Sequence, residues 1–98
     1  MADVIHELIA TEAAIDKLGR RGIAVEEAER LPNNRHAILP NVRGPKGPRH
    51  QPLERRVVIG RTDGDRTLTV IVEQTVDPES WLIITGWEST AAERKIIE

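Results

Sequence analysis

Between Arg55 and Arg94 the chain carries three apolar runs, Val57-Val58-Ile59, Leu68 to Val72 and Leu82-Ile83-Ile84. Their β-branched residues suit a pleated, half-buried surface. Asp63-Gly64-Asp65 is a tight-turn signal between the first two runs, and Val76-Asp77-Pro78-Glu79-Ser80 is a looser turn between the second and third. Strands joined this closely are most simply an antiparallel meander, and the remaining elements must pack against it.

Upstream, Val4 to Ala10 reads as a first strand, with Val4, His6, Leu8 and Ala10 on one face and Ile5, Glu7 and Ile9 on the other. Thr11 is suited to cap a helix running to about Arg21, in which Ala14, Ile15 and Leu18 form an apolar stripe and Gly22 supplies the stop. A second helix is expected from Val25 to Leu31, with Val25, Ala28 and Leu31 on one face and Pro32 ending it. Arg35 to Leu39 reads as a brief strand, and Asn41 to Pro52, with three prolines and two glycines, as a long basic loop. At the far end Thr90 and Glu93 have the spacing of a capping box, opening a helix that would carry Ile96 and Ile97 onto the sheet. The sum is an α+β domain spanning residues 1–98, with a four- to five-stranded antiparallel sheet, two N-terminal helices and one C-terminal helix.

The absence of cysteine excludes disulfides, thiolate chemistry and cysteine-based zinc sites. His6, His36 and His50 are scattered without a carboxylate at ligand spacing, so no metal and no cofactor is expected. No apolar run approaches the length of a membrane span, and Asp3 and Glu7 give the start no signal-peptide character, so the cytoplasm is the expected compartment.

The net charge of −2 conceals a division: residues 1–31 carry −3, residues 32–61 carry +6 and residues 62–98 carry −5. A basic middle suits a polyanion, or an acidic surface of a protein partner. The candidate phosphate-contacting residues for a nucleic acid such as RNA are therefore Arg43, Lys46, Arg49, Arg56 and Arg61, with Arg35 and Arg55 adding to the same charge; Arg94, at the start of the last helix, is a separate candidate for a phosphate contact. The plainer alternative is a solvated loop with ordinary surface arginines.

His50 is a candidate general acid or base near neutral pH, Arg55 a candidate for stabilising an anionic transition state, and Glu93 a candidate base. Against the last stands a structural role for Glu93 in the capping box, with Arg94 a surface residue. Trp81 and Trp87, at even spacing in the last strand, are expected on one face with Ile83 and Thr85, where they either stack on unpaired bases or give bulk to a core lacking Phe and Tyr.

The order of these elements resembles BrnT-type toxins. The resemblance rests on Lys17-Leu18-Gly19-Arg20-Arg21-Gly22-Ile23 followed by Glu26-Glu27-Ala28, on Glu54-Arg55-Arg56, Ile59-Gly60 and Arg66, and on Ile84-Thr85-Gly86 leading into Thr90, Glu93 and Arg94. It implies a RelE-like fold and the toxin of a type II toxin–antitoxin pair: an RNA-binding, metal-independent endoribonuclease neutralised by an antitoxin protein, in assemblies with two toxin copies. The chain departs from that pattern at Leu82, where the family typically has a basic residue, at Trp87, where it has arginine, and at Ile97, where it often has tyrosine. Two functions follow as expectations. One is an RNA-binding toxin with endoribonuclease activity, and the other is a non-catalytic interaction module in which Trp81 and Trp87 serve contact with another protein or a second copy.

Overall fold

A computed structural model describes residues 5–40 and 55–98. Its elements are strand β1 (Glu7–Ala10), helices α1 (Glu12–Arg20) and α2 (Val25–Glu29), a 3-10 turn (Leu31–Asn33), strands β2 (His36–Pro40), β3 (Arg55–Arg61), β4 (Thr67–Gln74) and β5 (Ser80–Glu88), and helix α3 (Ala91–Ile97). The strands form one sheet in the order β1-β5-β4-β3-β2. The expected meander is present, with β3, β4 and β5 antiparallel and joined by the two expected turns. Asp65 takes a positive φ of 66° in the tighter one, a conformation open to Asp at modest cost.

The all-antiparallel sheet is corrected: β1 pairs with β5 in parallel, so the sheet is mixed. Short turns force consecutive strands to run opposite ways, whereas β1 and β5 lie far apart in sequence and no turn sets their relative direction. The strand is also shorter than its apolar pattern, beginning at Glu7, with Ile5 buried ahead of it.

One face of the sheet, the core face, is built by Leu8, Val58, Leu68, Val70, Val72, Trp81 and Ile83, and it packs under Ala14, Leu18, Ile23, Ala28 and Leu31. The local rules hold here. Thr11 Oγ1 accepts from the Ala14 N–H, and Gly22 follows the helix with φ 73°, as a C-terminal glycine should. Ile15, expected in the stripe, is 45% exposed, because one turn of helix against β5 buries Ala14 and Leu18 and leaves their neighbour on the flank. Helix α2 ends at Glu29, and Leu31 enters the core from the 3-10 turn.

Gly86 shows how closely α1 approaches. A Cβ there would lie 2.7 Å from Val70 Cγ1 and 3.1 Å from Leu18 Cδ2, so only glycine admits the helix at this distance.

The opposite face carries α3, which lies over β3 and β2. Ile97 and Ile59 are buried between them, and burial of one such side chain contributes about 1.5–3 kcal/mol. Ile96, expected on the sheet with Ile97, is instead 48% exposed. Adjacent helical residues point about 100° apart, so one short helix cannot seat both on a flat sheet.

Candidate functional site

The last strand decides which side chains share a surface. Thr85 pairs with Ile71 but Ile83 pairs with Val72, so Ile84 is an extra residue bulged out of β5. The bulge reverses the alternation. Trp81, Ile83 and Gly86 face the core, while Leu82, Thr85 and Trp87 belong to the α3 face. The expectation of both tryptophans on one face is therefore corrected: Trp81 is buried in the core, and Trp87 is half-buried on the other side.

The arginines divide in the same way. Arg55 lies opposite Glu73 on the α3 face, its Nε 3.1 Å from Glu73 Oε1, with both side chains about four-fifths buried. Arg56, one residue on, turns to the core face, where its guanidinium stands 5.6 Å from the Trp81 ring centre and Nη1 donates to the Arg55 carbonyl. Arg61 Nη1 donates to Asp65 Oδ1 at 2.8 Å, and Arg94 Nη1 donates to the Ser89 carbonyl at 3.1 Å. Arg43, Lys46, Arg49 and His50 lie outside the described residues.

Glu93 has the structural role in full. Its Oε1 accepts from the Thr90 N–H at 2.8 Å while Thr90 Oγ1 accepts from the Glu93 N–H, closing the capping box. The same carboxylate accepts from the Trp87 indole at 3.1 Å, which fixes the start of α3 to the end of β5. Partial burial opposes ionisation of Glu93, but the Thr90 backbone, the Trp87 indole and the hydroxyls of Thr69 and Thr90 outweigh it and hold the carboxyl below the ordinary glutamate value. A carboxylate so occupied is a poor general base.

Arg55 and Glu93 are not brought together. Glu93 bonds at the Thr69–Trp87 row and Arg55 at the Glu73–Leu82 row, four residues along β4, which separates the two rows by about 13 Å. Among the described residues there is also no group of three or more His, Asp or Glu side chains placed to hold a metal, and no helix long and apolar enough to cross a membrane.

Between those rows lie Val57, Ile71 and Thr85, two apolar side chains and one hydroxyl that accepts from Arg21 Nη1 at 3.3 Å. Beyond the edge of α3, the α3 face presents Val57, Ile71 and Leu82, each partly exposed, and Ile9, which is 41% exposed. The Arg55–Glu73 ion pair lies among them and Glu7 borders them on β1. Sequence reading missed this patch and the part Glu73 plays in it. The signal was the alternation in β4, where Leu68, Val70 and Val72 are all apolar and the alternating Thr69, Ile71 and Glu73 are mixed.

Two further arginines tie the layers together. Arg66 donates to the Gly22 carbonyl and pairs with Glu27 and Glu88, and Arg21 Nη1 donates to the Gly86 carbonyl at 2.7 Å. The latter covers a carbonyl of β5 beyond Ala10, where β1 no longer pairs with it. Comparison with protein-family models, with curated proteins and with solved structures finds no match.

Proposed function

We propose that this chain is a non-catalytic interaction module with a BrnT-like, RelE-like fold, and that it works by binding a protein through the open part of the α3 face. The observation that carries this reading is the separation of Arg55 from Glu93, each already engaged by a structural partner. In a toxin–antitoxin pair, which the resemblance implies, the protein bound would be an antitoxin and the setting the cytoplasm. The departures from the family's pattern agree in direction: Leu82 adds apolar surface to the open patch, Trp87 holds Glu93, and Ile97 is buried between α3 and the sheet.

A second reading, RNA binding with metal-independent cleavage, is favoured by the charge of residues 32–61, which hold seven basic residues against one acidic. The two are separated by RNA cleavage with EDTA present, alone and with ribosomes, using Arg55→Ala/Arg56→Ala as the control. A folded protein without cleavage agrees with the binding module. Specific cleavage lost in the double variant overturns it in favour of the nuclease.

A further inference from the structure

We propose that helix α3 is a lid, which lifts from the sheet as a unit while the strands and the core face stay folded, and so lengthens the apolar strip that the open patch begins. This goes beyond the reading of that face as a binding surface, because it concerns what the chain itself lays over it.

Little holds α3 down. Of its seven residues only Ile97 is buried and only Glu93 partly so, while Ala91, Ala92, Arg94, Lys95 and Ile96 are exposed. Ile97 and Ile59, between α3 and the sheet, stand outside the cluster in which Leu18, Leu31, Val70 and Ile83 bury one another. Lifting α3 therefore parts one apolar contact and leaves that cluster whole. Helix α1 has no such freedom, since Leu18 is fully buried over Gly86.

The remaining anchor is polar. Glu93 accepts from the Trp87 indole at 3.1 Å and from the Thr69 hydroxyl, and Thr69 Oγ1 lies 2.8 Å from Ser89 Oγ. A carboxylate only accepts, so Thr69 donates to Glu93 and takes its own hydrogen bond from Ser89. Once α3 lifts, water reaches every group that Glu93 leaves. The exchange then costs only the modest net worth of hydrogen bonds, and no polar group is left buried without a partner. Seven residues are also well short of the roughly 12–15 that hold a helix alone in water, so α3 unwinds when it leaves the sheet.

What the lid uncovers is continuous with the open patch. Ile59 lies two residues along β3 from Val57, on the same face, and Ala37 of β2 pairs with it. Val57 stands beside Ile71, and Leu82 and Ile9 continue the line to the edge strand. With α3 down the strip stops at Val57. With α3 lifted it runs on through Ile59 to Ala37.

The test is native-state hydrogen exchange of the full chain, read amide by amide as guanidinium is raised below the unfolding transition. The amides of Lys95, Ile96 and Ile97, corrected for intrinsic rates, are expected to exchange at least about a hundredfold faster than those of Leu68 and Val70 in the central strand. Their opening should depend only weakly on denaturant, because it exposes little surface. Ile97→Glu removes the apolar anchor. It should free the α3 amides and shift the Trp87 indole signal while Leu18, Val70 and Ile83 keep their native shifts. Exchange of the α3 amides at the protection and denaturant slope of Leu68 and Val70 overturns the inference. So does an Ile97→Glu chain that loses its core-face signals together with α3.

Discussion

The two faces of one sheet differ in how completely they are used. The core face meets α1 at a glycine and buries Leu18, Val70, Val72 and Ile83 completely. The α3 face buries Ile59 and Ile97 under one short helix and leaves Ile9 exposed and Ile71 and Leu82 partly so. Stability therefore resides mainly on one side, and the other is available for contact. The same polypeptide is a packed core in one direction and an unfinished one in the other.

The sharpest way to break this contrast is Leu18→Ala. A fully buried side chain wedged over Gly86 should cost about 2–5 kcal/mol in denaturant unfolding. A loss below about 1 kcal/mol would mean that the core face is not the tighter one.

An intermediate effect is expected for Glu93→Gln. Glutamine keeps the capping geometry but loses the charge at the helix start, worth about 0.3–1 kcal/mol. The pH dependence sharpens this. Since the folded chain holds the Glu93 carboxyl below its ordinary value, the stability it confers is complete above the ordinary glutamate range and is lost as pH falls through the folded value. Stability measured on the acid side should fall less steeply in Glu93→Gln than in the parent, and equal slopes would show that Glu93 does not link α3 to pH.

The smallest effect is expected for Ile9→Ser. Ile9 is 41% exposed on the edge strand, so the change should alter stability by less than about 0.5 kcal/mol, as a surface substitution does. A cost like that of Leu18→Ala would mean that the α3 face is as filled as the core face.

Much of this architecture was legible from residue order. Thr11, Gly22, Asp63-Gly64-Asp65 and the Thr90/Glu93 box each act within a few residues, so their consequences could be read before any packing was known. The candidate site was legible only in part. The spacing of Thr90 and Glu93 announced the capping box that Glu93 closes, whereas nothing near Arg55 in the chain announced its ion pair with Glu73, eighteen residues on across the β3–β4 turn. Arg43, Lys46, Arg49 and His50 fall outside the described residues.

The sequence by itself determined the local elements, the antiparallel meander and the division of charge, because propensity, turn chemistry and capping depend on near neighbours. Tertiary structure alone decided the parallel β1–β5 pairing, which joins the two ends of the chain with no turn to dictate it. It also decided the bulge at Ile84, which sends Trp81 and Trp87 to opposite faces. A single extra residue reverses every side chain beyond it, and whether a strand takes one up depends on what packs against it: here β4 on one side, and on the other α1, whose Leu18 lies over Gly86.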